Sequence, residues 1–136
     1  MSLPDWKMSA DLSQRLCGFV DQSFIVPFIE KIDAQWIPYP NRCHENARHW
    51  IADHSGYQIV YGWLHVYGNV ADGATFDAHS VVLDASGKLW DVTLENPASI
   101  FILHPDGVSE FLHIVQTLQL SRVSHAPDVP FTPPAC

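Results

Sequence analysis

Residues 78–94, AHSVVLDASGKLWDVTL, constrain the fold more tightly than any other segment of the sequence. Apolar and polar residues alternate on both sides of DASGK, which is the pattern of two β-strands joined by a tight turn. A three-residue loop at 85–87 fits this spacing, with its glycine in the left-handed conformation. In the resulting register, Val81 lies opposite Asp91.

The same register places a histidine and an aspartate on one face of the hairpin. His79 and Asp91 become diagonal neighbours, about 7–8 Å apart at the backbone, and their side chains are long enough to close that gap. A two-residue turn would place them on opposite faces, because a slip of one residue reverses every side chain. We therefore predict contact between His79 and Asp91, on condition that the three-residue loop forms.

Two helical patterns precede the strands. Ser9 is suited to cap a helix over residues 10–22, where leucines recur at helical spacing. Pro27 suits the first turn of a second helix that ends near residue 36. Helices followed by strands are typical of the α+β class, so we expect an antiparallel sheet packed against a helix that begins at Cys43.

The remaining segments complete a single domain. Residues 57–68 predict an aromatic-rich strand, residues 69–77 a loop, and residues 107–120 a last helix. With 136 residues the chain is long enough for one core, and we assign residues 1–123 to it. Residues 124–136 are proline-rich and predict an extended tail.

The charge balance narrows the classes of partner. The chain has 7 basic and 15 acidic residues, a net charge of −8, with no basic stripe to gather phosphates. We therefore expect no nucleic-acid partner and no membrane partner. Apolar runs are too short for a signal peptide or a membrane span, so a cytoplasmic setting is expected.

The chain has three cysteines, Cys17, Cys43 and Cys136. Three is a small and odd number, which does not fit a disulfide framework. Cys17 lies beside the apolar stripe of the first helix and is expected to be a buried structural thiol. Cys43 stands at a helix start, between the expected N-cap Asn41 and the stop at Gly56. A helix N-terminus stabilises a thiolate and offers N–H groups to an oxyanion, which favours a nucleophile.

The alternative for Cys43 is a small core residue, because Cys43, Ala47 and Trp50 share one helical face. A catalytic role requires a base. His79 is suited to take the proton of Cys43 or to hold its thiolate, and Asp91 to orient the ring of His79. The corresponding alternatives are an ordinary core histidine and a solvated aspartate.

Together, CHENARHW, AHSVV and LWDVT resemble the papain-like superfamily of cysteine enzymes, especially its transglutaminase-like and arylamine-acyltransferase-like branches. The resemblance covers roughly residues 41–95 and matches no single family. It implies a papain-like core with Cys43 as nucleophile, His79 as base and Asp91 as orienting acid. His44 stands where papain-like enzymes often have a tryptophan after the cysteine.

Further site residues are predicted around the helix start and on the aromatic strand. The candidate oxyanion donors are Gln35, Asn41 and His44. An aromatic wall suited to an apolar or planar substrate group is predicted along the strand, with a packed or interface face as its alternative. Its members are Tyr61, Trp63 and His65.

Eight histidines raise the question of a metal site. HENARH differs from the zinc-protease motif, because His44 and His49 lie about 140° apart around a helix. Cys43 with His79 and Asp91 is an alternative zinc set, since all three residue types ligate zinc. The leading expectation is no metal and no cofactor.

The leading functional hypothesis is a small cysteine hydrolase or acyltransferase that acts on an amide or ester through a thioester. Its partner is a small-molecule or peptide substrate. The alternative is a non-catalytic binding or interaction domain on the same scaffold, whose contacts, including those of a homodimer, use the aromatic strand or the proline-rich tail.

Overall fold

The computed structural model describes residues 5–126 and residue 136. Its α-helices are α1 (Asp5–Cys17), α2 (Cys43–Asp53) and α3 (Val108–Leu112), and α3 continues as a π-helical turn at His113–Thr117. Its strands are β1 (Gln58–Asn69), β2 (Gly73–Leu83), β3 (Leu89–Trp90), β4 (Phe101–Leu103) and β5 (Arg122–Ser124). No helix within residues 5–126 is long and apolar enough to cross a bilayer.

All strand pairs of the sheet are antiparallel, and the order is β3-β2-β1-β4. β5 pairs with β2 on the edge that β3 also uses, so residues 78–81 lie between the two short strands. β1 and β2 form a long hairpin in which Gly62 lies opposite His79. The α+β class with an antiparallel sheet is therefore confirmed.

Successive residues of β2 contact different parts of the molecule. Val82 packs with Ala47 and Trp50 of α2. Val81 packs instead with Phe101, Leu64 and Val26. Because side chains alternate along a strand, His79 shares the face of Val81, while Ser80 faces α2.

The register of the β2–β3 hairpin is confirmed. Leu83 pairs with Leu89, and the loop at 85–87 carries Gly87 at φ 90°. The carboxylate of Asp84 accepts hydrogen bonds from the Ser86 hydroxyl and the Trp90 indole. These bonds hold the pKa of Asp84 well below its usual range and fix the turn that aligns the two strands.

Two helix predictions are wrong. Only a 3₁₀ turn, Ile29–Lys31, forms where a second helix over 27–36 was expected. The backbone there is pulled into the sheet, because Asp91 N–H donates to the Pro27 carbonyl and Ile29 N–H to the Asp91 carbonyl. Ser9 lies inside α1 and does not cap it; its hydroxyl accepts the N–H of Ser124.

The predicted loop at 69–77 is also wrong, since β2 begins at Gly73. The loop is reduced to a tight turn in which Asn69 accepts the N–H of Asp72. Polar Thr75 and Asp77 gave this strand a loop-like composition, but both are buried and paired with partners on β5. The predicted tail at 124–136 lies mostly outside the described residues.

Gly62 of β1 lies against β4, opposite Leu103. A Cβ atom there would lie 2.2 Å from the Ile102 carbonyl oxygen and 2.5 Å from the Phe101 ring. We expect Gly62→Ala to lower the free energy of unfolding by about 1–3 kcal/mol, because the strands must separate to admit the methyl group. Urea unfolding checks this, and an unchanged midpoint would contradict the close approach.

His104 is a buried acceptor in the core. The Trp63 indole N–H donates to His104 Nδ1 over 3.0 Å. Because an indole only donates, this nitrogen is unprotonated and the ring proton lies on Nε2. Burial lowers the pKa of His104, against the opposing effect of the Asp106 and Glu110 carboxylates.

Acidification should destabilise the fold through His104. Below the usual histidine pKa of about 6.5, the unfolded chain binds a proton that folded His104 resists. The free energy of unfolding should therefore fall as the pH drops below that value and recover as the pH rises through it. His104→Gln should flatten this dependence between pH 5 and 7 in urea unfolding; an identical slope in both proteins would refute the assignment.

Candidate functional site

Cys43 is the first residue of α2 and is fully buried. The N-cap position belongs to Arg42, and no side chain there bonds to the helix N–H groups. The prediction of Asn41 as cap is wrong, because Asn41 adopts a left-handed conformation at φ 58° one residue too early. No side chain at the cap position therefore competes with Cys43 for the N–H groups of the first turn.

The sulfur of Cys43 is joined to Cys136 in a disulfide, with the Cα atoms 5.3 Å apart. This single bond was not predicted from the sequence, where only a disulfide framework was considered. The two cysteines are separated by 93 positions, and only the folded chain brings them together. Cys17 remains a thiol; it packs partly buried against the core, and burial raises its pKa.

His44 contacts the sulfur of Cys43. Its Nδ1 lies 3.7 Å from Cys43 Sγ and also hydrogen-bonds with the Ser80 hydroxyl on β2. Burial, together with the charges of His79 and Arg48, lowers the pKa of His44 to about 4. The ring is therefore neutral at pH 7, which suits a hydrogen-bond donor or acceptor better than a cationic partner for a thiolate.

His79 and Asp91 form the predicted contact. His79 Nε2 and Asp91 Oδ2 are 2.7 Å apart, and both side chains are buried. The other carboxylate oxygen accepts the backbone N–H groups of Thr93 and Leu94, each over 2.8 Å. Asp91 is thus held in place by three hydrogen bonds and fixes the ring of His79.

The second ring nitrogen of His79 has no hydrogen-bond partner among the described residues, although it is buried. Buried polar atoms are nearly always paired, so an unpaired one requires an explanation. The described hydrogen bonds do not include one between Cys43 and His79. His79 lies on the face of β2 away from α2, whereas Ser80, which bonds to His44, lies on the face that packs against α2.

Asn46 connects α2 to the aspartate segment. Its amide accepts the N–H of Tyr39 and donates to the Tyr39 carbonyl, over 3.1 and 2.9 Å. It also donates to the Thr93 hydroxyl over 3.0 Å, two residues beyond Asp91. This role was not predicted from the sequence; the available signal was an amide among apolar residues on the core face of the helix.

Two predicted oxyanion donors lie away from the contacts of Cys43. Gln35 is exposed in a turn, where its backbone N–H donates to Asp33. Asn41 is exposed just before α2, and neither side chain takes part in a hydrogen bond within the described residues. His44 is the one of the three that contacts the sulfur.

The three residues of the predicted aromatic wall lie in different environments in the structure. Trp63 is fully buried and bonded to His104, so its packing alternative holds. His65 bonds to the Gly68 carbonyl beside the hairpin turn. Tyr61 is half-buried, and its ring centre lies 6.0 Å from that of His44.

Tyr61 also borders an apolar cavity of about 340 Å³ between β1 and the segment that follows β4. Its lining is mostly aliphatic. The lining residues are Ile59, Val60, Tyr61, Leu103, His104, Pro105, Gly107 and Val108. The cavity and the α2 start therefore share one aromatic side chain between them.

Two more histidines, one within α2 and one just after it, lie away from this site. His49 is exposed, and His54 stacks on Trp50 with ring centres 3.6 Å apart. Neither contacts Cys43. No family model, no curated protein and no solved structure matches the chain.

Proposed function

We propose that this protein is a small cysteine hydrolase or acyltransferase with Cys43 as nucleophile, His79 as base and Asp91 as orienting acid. The observation that carries the proposal is the buried His79–Asp91 pair, whose remaining ring nitrogen lacks a partner. Such a nitrogen is suited to take a proton from a thiol. Because His79 lies on the face of β2 away from α2, the proposal requires a rearrangement that brings this nitrogen to the Cys43 sulfur once the disulfide is reduced. The proposed scaffold is a papain-like core of the transglutaminase-like kind, as the sequence resemblance implies.

The proposed reaction has two halves. The thiolate of Cys43 attacks the carbonyl carbon of an amide or ester, a C–S bond forms, and protonated His79 gives its proton to the departing nitrogen or oxygen. The resulting thioester is then attacked by water or by an acceptor amine or hydroxyl, whose proton passes to His79. Cys43 is released, and neither half needs an oxidant or a cofactor.

The tautomer of His79 follows from its partner. If Nε2 carries the proton donated to Asp91, Nδ1 is left with the lone pair that accepts the thiol proton. The tetrahedral oxyanion is assigned to N–H groups in the first turn of α2. His44, neutral at pH 7, is a second donor on the same turn.

The apolar cavity beside Tyr61 indicates the substrate group. A volume of about 340 Å³ with an aliphatic lining suits a small apolar acyl or aryl group. The net charge of −8 disfavours highly anionic substrates. The proposed substrate is therefore a small molecule or peptide that carries an apolar group next to its amide or ester.

The disulfide determines when the proposed enzyme is active. With Cys43 joined to Cys136, its sulfur cannot attack a carbonyl. Exchange with a cellular dithiol transfers two electrons and two protons and frees both thiols. In the proposed cytoplasmic setting, reduction is the normal condition and oxidation inactivates the enzyme.

Acylation of Cys43 tests the proposal. We expect reduced protein, incubated with a p-nitrophenyl ester of butyrate, to release nitrophenol and to carry a butyryl group on Cys43 by peptide mass spectrometry. Cys43→Ser should lose both signals, and Cys17→Ser should keep both. Equal release by Cys43→Ser and wild type, or an acyl group on Cys17 alone, would overturn the proposal.

The second candidate is a non-catalytic binding domain. The observation in its favour is that Cys43 is fully buried as well as oxidised. For a binding domain, we expect that the reduced protein forms no acyl adduct on Cys43. We also expect that the mass of the wild type in size-exclusion chromatography differs from that of Tyr61→Ala. A monomer in both cases, together with turnover, would exclude it.

A further inference from the structure

Three metal-ligating atoms converge at the start of α2. The Sγ atoms of Cys43 and Cys136 and a ring nitrogen of His44 all lie within 4.8 Å of one another. No other group of three such side chains occurs within residues 5–126 and 136. Two sulfurs and one imidazole nitrogen are the donor types that zinc prefers, and this set was not predicted from the sequence.

The distance between the sulfur of Cys43 and the nitrogen of His44 fits a shared ion. Zinc binds thiolate at about 2.3 Å and imidazole at about 2.0–2.1 Å, so in a tetrahedral site these two atoms lie about 3.6 Å apart. The observed separation is 3.7 Å. One half of the coordination shell is thus in place before any metal arrives.

We propose that, once the disulfide is reduced, Cys43, His44 and Cys136 together bind one Zn²⁺ ion. A dithiol or phosphine reductant supplies two electrons, the S–S bond breaks, and each sulfur gains a proton. Zinc then displaces both thiol protons, and two Zn–S bonds and one Zn–N bond form. The fourth position remains for water.

Two local changes accompany this binding. The sulfurs separate to about 3.8 Å, as in any tetrahedral pair of zinc thiolates. The backbones already stand 5.3 Å apart at Cα, so this separation requires side-chain rotation more than chain movement. The Ser80 hydroxyl also gives up its hydrogen bond to His44 Nδ1, which then faces the metal.

The zinc site goes beyond the proposed function, although it shares Cys43 with it. A zinc-bound thiolate is not free to attack a carbonyl, so metal and substrate compete for the same sulfur. Metal content and acyl transfer are separate measurements. Zinc binding without turnover would support the zinc site and contradict the proposed enzyme. Turnover without zinc binding would contradict the zinc site and leave the proposed enzyme intact.

Metal titration of the reduced chain tests the site. We expect phosphine-reduced protein under argon to bind one Zn²⁺ per chain against a chromogenic chelator. Cobalt in place of zinc should give a sulfur-to-metal charge-transfer band. The oxidised protein should bind neither ion at this site, and equal binding by oxidised and reduced protein would overturn the proposal.

Variants identify the ligands. Cys136→Ser and His44→Gln should each weaken zinc binding at least tenfold, with folding verified by circular dichroism. Cys17→Ser is the matched control, since Cys17 lies 4.0 Å from His125 and forms the rival cysteine–histidine pair. Zinc binding that survives in Cys136→Ser, or that is lost in Cys17→Ser, would refute the assignment.

Discussion

Replacing His79 with asparagine should lower acyl transfer by reduced protein about 10²–10⁴-fold, the usual contribution of a positioned acid–base group. Asparagine can still donate to Asp91, so the carboxylate, buried at 1% exposure, keeps a partner. What is lost is the second ring nitrogen, the only proton acceptor that the pair offers to a thiol. The measurement is ester turnover across pH 5–9, with acylation of Cys43 followed by mass spectrometry.

His44→Gln is the control that separates the two imidazoles. The sulfur of Cys43 contacts His44 directly, but a pKa near 4 leaves that ring with little affinity for a proton at pH 7. Its loss should reduce turnover less than the loss of His79 and should leave the pH profile centred at the same value. A larger loss in His44→Gln would transfer the role of base to His44 and contradict the assignment of His79.

Reduction of the disulfide should lower the free energy of unfolding by about 2–4 kcal/mol, the typical contribution of such a bond, and by as much as about 4.7 kcal/mol for a loop near 100 residues. The bond between Cys43 and Cys136 closes a loop over a separation of 93 positions, so it restricts about two-thirds of the unfolded chain. Urea unfolding with and without a phosphine reductant measures the change.

Cys136→Ser should reproduce the reduced midpoint in the absence of reductant. Cys17→Ser should keep the wild-type difference between oxidised and reduced protein, because Cys17 takes no part in the bond. The destabilised protein should stay folded at 25 °C, since the His79–Asp91 pair and the core clusters do not depend on the disulfide. Coincident unfolding curves with and without reductant would contradict the predicted linkage.

The position of His79 beside Asp91 was predictable because local chemistry decides it. Gly87 supplies the left-handed residue that a three-residue loop needs, and that loop fixes the register of every pair behind it. The start of α2 at Cys43 was predictable for a similar reason, since the prolines before it stop any earlier helix. Each of these signals lies within a few residues of the structure that it specifies.

The failed predictions share the opposite property. Residues 27–36 have a helical pattern, yet Pro27 and Ile29 bond to Asp91, more than 60 positions away, and the sheet overrides the local preference. Asp77 was predicted to lie in a loop, but it is part of β2 and its carboxylate pairs with Arg122 on β5. Burial of a polar group is settled by its distant partner, which no local pattern contains.

By itself the sequence determined the hairpin, the helix start and the acid–histidine pair, because turn geometry and side-chain alternation act over short stretches of chain. Tertiary structure alone decided that Cys136 reaches Cys43, that His44 is partly buried and bonded to Ser80, and that Asn46 connects α2 to Thr93. Those contacts depend on how the helices pack on the sheet. Packing is a collective outcome of the whole core, and it sets both the chemistry of the Cys43 sulfur and the ligands within its reach.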